Sequence, residues 1–163
     1  MGFEFPEIVA KCLIACCKTL FQLEEHVMTT ELTYLFLSAL LLSVAWIPHV
    51  VGQVMTLGPL SQDGYSNLRE QSDFPAWVRR GNRAHINLVE QFGAFAAFVL
   101  IAHVLGVSTP AMALASAIFF WARVLHFAVF LVGVRILMAR TIIFTVAWLA
   151  IVVFAISLWQ GMS

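Results

Sequence analysis

Polar positions along this chain are few and clustered, and the apolar runs between them are long. Four stretches, about residues 32 to 56, 84 to 105, 109 to 133 and 141 to 160, stay predominantly apolar for the roughly 20 residues that a helix needs to cross the hydrocarbon of a bilayer. The pattern predicts an all-α fold, an integral membrane bundle of four transmembrane helices. Pro48 falls inside the first run and should bend it, which neighbouring helices in a bundle can accommodate. "LGPLSQDGYSNLREQSD", residues 57 to 73, is the one long polar connection. Asp73 before Phe74 and Pro75 reads as an N-cap with proline in the first turn, so the second helix should begin near residue 74 and project beyond the bilayer. Gly81 weakens that projecting part by up to about 1 kcal/mol relative to alanine. "LGVSTP", residues 105 to 110, makes a tight, uncharged turn into the third helix.

Composition changes this picture only by removing the soluble alternative. The chain is 61% hydrophobic and 11% charged, and its mean hydropathy of +0.92 lies outside the range of soluble domains. A length of 163 residues allows one domain. Nine basic and nine acidic side chains cancel, so there is no bulk electrostatic pull toward nucleic acid, and what matters is where the charges stand. Arg69, Arg79, Arg80 and Arg83 flank the first connection and Arg135 and Arg140 the last, whereas the 105 to 110 turn has no positive charge. The positive-inside rule therefore puts residues 57–83 and 134–140 in the cytoplasm and both termini on the other side, with Lys11 and Lys18 pulling mildly the opposite way. Residues 1–28 read as an N-terminal extension, with Met28 a candidate alternative start, and residues 29–160 as the four-span domain. Cys12, Cys16 and Cys17 in that extension offer neither a disulfide framework nor metal spacing, and "LIAC" lacks the apolar run that a lipoprotein signal requires.

Ionisable side chains inside spans cost several kcal/mol unless paired, which makes them functional candidates. Arg83, Asn87 and Glu90 follow i, i+4, i+7 and share one helical stripe; Arg123, His126 and Phe130 follow i, i+3, i+7 on the next span. Folding the two spans about residue 107 brings Glu90 level with Arg123, and Asn87 level with Phe127 beside His126. The count predicts a Glu90–Arg123 pair within a polar layer roughly 10 Å inside the mouth. Two readings stand at this point. The layer is a structural pair that fixes helix register, or, with Arg83, Arg135 and Arg140 adding positive charge at the same mouth, it holds an anionic ligand on arginine forks. His49 and His103 are isolated and fit packing roles, the five tryptophans fit interface or packing positions, and no metal spacing, phosphate loop or Ser-His-Asp signature is present.

"RAHINLVE", residues 83 to 90, has the form R-A-H-x-N-x-x-E at the start of a second spanning helix. It resembles the MAPEG family, the membrane-associated proteins in eicosanoid and glutathione metabolism. "FFWARVLHFAVFLVGVR" (119 to 135) is similar to that family's third helix, "GQV" (52 to 54) fits the end of its first, and "FGAFAAFVLIAHVLGV" is similar to its bacterial branch. The resemblance covers about residues 29 to 160. It implies a homotrimer in the bacterial inner (cell) membrane, binding glutathione as co-substrate between subunits near the cytoplasmic face. The implied activity is that of a glutathione transferase or peroxidase acting on hydrophobic or lipid-derived electrophiles. Carried over by position, Arg83, Asn87, Glu90, Arg123 and His126 match the family's glutathione contacts, and Arg140 in "ARTIIF" its thiol-activating arginine. That last match needs a one-residue gap, so Arg135 competes for the role. The chain departs from the family where it has Phe130 and Phe144 in place of tyrosines, Met55 in place of a basic residue, and Ile86 where some members have arginine. A non-enzymatic, lipid-binding scaffold of the same fold is therefore a second reading, and a small membrane carrier using Arg123 and Glu90 a third.

Overall fold

The computed structural model describes residues 28–59, 70–134 and 138–163, and in it the apolar runs are helices. Helix α1 (Thr30–Ala45) and helix α2 (Ile47–Leu57) together form the first span. The second, third and fourth spans are α3 (Ala76–Leu105), α4 (Pro110–Val132) and α5 (Ala139–Met162). Each of the four is long and apolar enough to cross a membrane. The N-terminal extension through residue 27, with its three cysteines, lies outside the described residues, as do Arg69 and Arg135.

The first span breaks at Trp46, two residues before Pro48, as a proline without an amide proton dictates. Thr29 opens α1 by accepting the Leu32 amide on its hydroxyl at 3.3 Å. The start of α3 differs from the sequence expectation. Asp73 ends a short 3-10 turn (Gln71–Asp73), and the N-cap position falls to Pro75, with no side-chain cap. The residue before a proline is pushed to extended backbone, which here is Phe74, so the helix cannot start until the proline is passed. At the other end Gly106, in the left-handed region at φ 65°, closes α3 by donating to the His103 carbonyl, while Val107 donates to that of Ala102. Thr109 then caps α4, accepting the Met112 amide at 3.2 Å, with Pro110 in its first turn.

Packing joins α4 to α5 most extensively, and α1 lies across α3 and α4. Phe95 of α3 stacks on Phe119 of α4 with centroids 4.1 Å apart and meets Phe154 of α5 edge-on at 6.2 Å. These rings form the centre of an apolar core that runs from Ala147 to Met112 and Leu158. The outward faces remain apolar, with Val104 83%, Val132 78% and Met55 76% exposed, a surface matched to lipid and unlike that of a water-soluble bundle. Gly52 sets the contact between α2 and α3: a Cβ there would lie 2.5 Å from the Trp77 ring and 2.6 Å from Val78. The glycine of "GQV" is thus a close-packing residue.

Candidate functional site

Helix α3 buries one stripe, including Gly81, Ala84, Leu88, Gln91 and Phe95. Arg83, Asn87 and Glu90 each precede a residue of that stripe, which turns them about 100° away from it along one edge of the helix. Glu90 is consequently exposed and does not reach Arg123. Arg123 instead donates from Nη1 to the backbone carbonyl of Asn87 at 3.3 Å. What the count lacked was rotation, and the predicted Glu90–Arg123 pair does not form within the chain. At that level the polar side chain facing the core is Gln91, buried with both amide atoms unpartnered. Asn87 is half-buried and spends its Nδ2 on the Arg83 carbonyl at 2.7 Å.

Arg123 is 1% exposed, with Nε and Nη2 lacking any acceptor. Its guanidinium lies 5.2 Å from the Phe144 ring centre and 5.9 Å from that of Phe119. His126, also buried, sits between Phe130 at 4.8 Å and Phe144 at 6.1 Å. Phe130 connects this interior to the mouth, because its opposite neighbour is the Arg140 guanidinium, 4.7 Å from the ring centre. Phe130 and Phe144 therefore stand between the three cationic or basic groups Arg123, His126 and Arg140.

At the mouth a cleft of about 630 Å³ is lined by Arg79, Arg80, Arg83 and Arg140 together with Phe130 and Ile86. Among the described residues no carboxylate borders it. Arg80 also finishes α4, whose C-terminal carbonyls carry partial negative charge, and Arg140 ties down the chain two residues past its end. Arg80 Nε donates to the Phe130 carbonyl at 3.1 Å, and Arg140 Nη2 to that of Val134 at 3.2 Å. Gly133, at φ 77°, leaves room for the Arg80 guanidinium, which a Cβ would approach to 2.7 Å. Arg140 Nε stays buried without a partner. Sequence reasoning singled out Arg83 and Arg140 but treated Arg79 and Arg80 as orientation signals. Their spacing with Arg83 and Ile86, i, i+1, i+4, i+7, was the available sign that they share its face.

The other histidine assignment with visible geometry is a packing one: His49 Nδ1 lies 3.2 Å from the Val78 carbonyl, and its ring meets Phe74 edge-on. Among the described residues no group of three or more His, Cys, Asp or Glu is placed to hold a metal.

Four apolar spans around a polar, arginine-lined mouth define the class as a multi-pass, all-helical integral membrane protein. Within that class the chain belongs to the MAPEG family, whose model matches residues 31–159. No curated protein and no solved structure matches the chain closely enough to be compared with it.

Proposed function

We propose that this MAPEG protein is a membrane-bound glutathione transferase or peroxidase that joins glutathione to, or uses it to reduce, hydrophobic and lipid-derived electrophiles. The observation that carries the reading is the mouth cleft: four guanidinium groups and, among the described residues, no carboxylate around a volume of about 630 Å³. Glutathione has two carboxylates, an ammonium and a thiol. Arginine forks suit the carboxylates in bidentate geometry, and the edge stripe running from Arg83 through Asn87 to Glu90 offers an amide and an acid for the rest. Arg140 presents a buried, unpartnered Nε at the cleft, which fits it for holding a thiolate. A thiol has a reference pKa near 8.5, and each unit by which a guanidinium lowers it is worth about 1.4 kcal/mol.

In the transferase reaction the Arg140-held thiolate attacks an electrophilic carbon arriving from the lipid side. A carbon–sulfur bond forms, the bond to the leaving group breaks, and the leaving group departs with its electron pair. In the peroxidase reaction two thiols reduce a hydroperoxide to an alcohol and water and become one disulfide. The protein contributes positioning and thiolate stabilisation.

Assembly follows from the same residues. Arg123 is buried with no counter-charge among the described residues, and Glu90 stands exposed on the edge of α3. Each is costly in a lone chain at membrane depth. A homotrimer in which neighbouring α3 edges meet, with ligands bound between them, covers Glu90 and completes the cleft. The connections 57–83 and 134–140 then face the cytoplasm of the cell membrane, where glutathione is supplied.

The non-enzymatic lipid-binding scaffold has two observations in its favour: Arg80 and Arg140 already donate to the Phe130 and Val134 carbonyls, and no phenolic hydroxyl stands at Phe130 or Phe144. One experiment separates the two. The detergent-purified protein, given millimolar glutathione, should show thiolate absorbance in the ultraviolet and conjugate a chlorinated nitroaromatic. Arg140→Ala should abolish the thiolate signal while glutathione affinity falls by less than about tenfold, a loss under about 1.4 kcal/mol. Absence of any thiolate signal in the unmodified protein would leave the scaffold reading standing.

A further inference from the structure

The last turn of α4 takes one of its donors from another helix. Gly133 turns left-handed at φ 77°, and the amides of Gly133 and Val134 both donate back to the Val129 carbonyl, at 3.1 and 3.2 Å. The Phe130 carbonyl, whose ordinary helical partner is the amide four positions on, accepts from Arg80 Nε at 3.1 Å. Gly133 is the reason this side chain fits: a Cβ there would lie 2.7 Å from Arg80 Cζ and 2.9 Å from its Nε and Nη2.

Phe130 carries the restraint across to α5. Its side chain is buried, with the His126 ring centre at 4.8 Å and the Arg140 guanidinium 4.7 Å from its own ring centre. Arg140 Nη2 donates in turn to the Val134 carbonyl at 3.2 Å. Its contacts with Phe130 and Val134 both fall on the stretch that Arg80 grips. The start of α3, the end of α4 and the first turn of α5 are thus joined as one connected set.

We propose that Arg80 is a positioning residue, which fixes the Arg140 guanidinium at the cleft by holding the end of α4 and with it the Phe130 ring. What Arg140 does there rests on the glutathione reading; how it is held rests on these contacts alone. Placement matters because a misplacement of about 1 Å at a reacting group can cost about a hundredfold in rate.

The full-length protein in detergent, without ligand, is treated with phenylglyoxal, which modifies accessible guanidinium groups, and Arg140 is followed by peptide mass spectrometry. Arg80→Met keeps the stem and loses the donor, so Arg140 should react about fivefold faster, the worth of one released hydrogen bond. Arg80→Lys keeps a donor able to reach the carbonyl and should stay within about twofold of the unmodified protein. Gly133→Ala separates position from charge, because it retains every arginine but pushes a Cβ into the Arg80 guanidinium, and it should match Arg80→Met. The two changes combined should react no faster than Arg80→Met alone, as expected of one shared route. With glutathione bound, the thiolate titration should move to higher pH in Arg80→Met and Gly133→Ala and stay in place in Arg80→Lys.

A role confined to folding would lower the midpoint of thermal unfolding and leave both readouts where they were, and that result overturns the proposal. An effect of Arg80→Met that is missing from Gly133→Ala traces to lost charge and overturns it as well, as do additive effects in the double variant. Should Arg80→Met fail to fold, Gly133→Ala decides alone. If the unmodified protein gives no thiolate signal, the glutathione reading falls, and the phenylglyoxal arm, which needs no ligand, still decides whether Arg80 positions Arg140.

Discussion

At Arg123 two guanidinium nitrogens are buried without an acceptor, and the aromatic faces of Phe119 and Phe144 offset only part of that. Cation–π contacts contribute about 0.5–2 kcal/mol each, against several for a buried charge left unpaired. Phe130 sits at the corresponding point near the mouth, with the His126 ring on one side and the Arg140 guanidinium on the other. Replacing it with tyrosine adds a hydroxyl donor between these groups. Phe130→Tyr is expected to raise the thiolate fraction of bound glutathione and kcat/KM by about tenfold, in line with one added hydrogen bond to a charged group; an absorbance titration and initial rates would check both. Arg83, Arg123 and His126 stood out in the sequence as charges at helical spacing, and Arg140 as one of the arginines gathered at the mouth. The Glu90–Arg123 pairing was misread because counting from a turn fixes height and not rotation, and Gln91, one position on, faces inward instead. The role of Arg80 was hidden for another reason: its partner is a backbone carbonyl 50 positions away, and backbone groups carry no sequence signature.

At the level of helices, the first span depends on two small local features. Pro48 breaks it at Trp46, and Gly52 then lets α2 lie against Trp77 and Val78 of α3. Gly52→Leu drives a branched side chain into a rigid indole, and overpacking of this kind costs about 1–3 kcal/mol. A lower midpoint of thermal unfolding in detergent, with glutathione affinity reduced through displacement of α3, is the expected outcome. Gly52→Ala should be milder in both readouts. The four spans and the bend at Pro48 were legible because apolar length and a missing amide proton act locally. The exact start of α3 was not, because Asp73 and Pro75 compete for the same boundary and the restriction on the residue before proline prevails. The hydrogen bond from the Ser108 hydroxyl to Glu31 also escaped the sequence, since it joins single residues 77 positions apart in the chain.

On the scale of the molecule, the exposed Glu90 and the partly unsatisfied Arg123 are what the proposed trimer would have to cover. Chemical cross-linking in native-like bilayers should yield trimers, and Glu90→Gln should reduce the trimer fraction or weaken glutathione binding by about tenfold or more. Unchanged assembly and unchanged binding together would remove Glu90 from both roles. The arginine mouth depends on α3 in a further way. Its 30 residues extend about 45 Å, whereas the hydrocarbon layer of a typical bilayer is about 30 Å thick. The excess lies at the Arg79–Arg83 end, so α3 acts as a gauge of membrane thickness. By that length, a thicker membrane should bring these guanidinium groups nearer the lipid phosphates and a thinner one leave them further out in water.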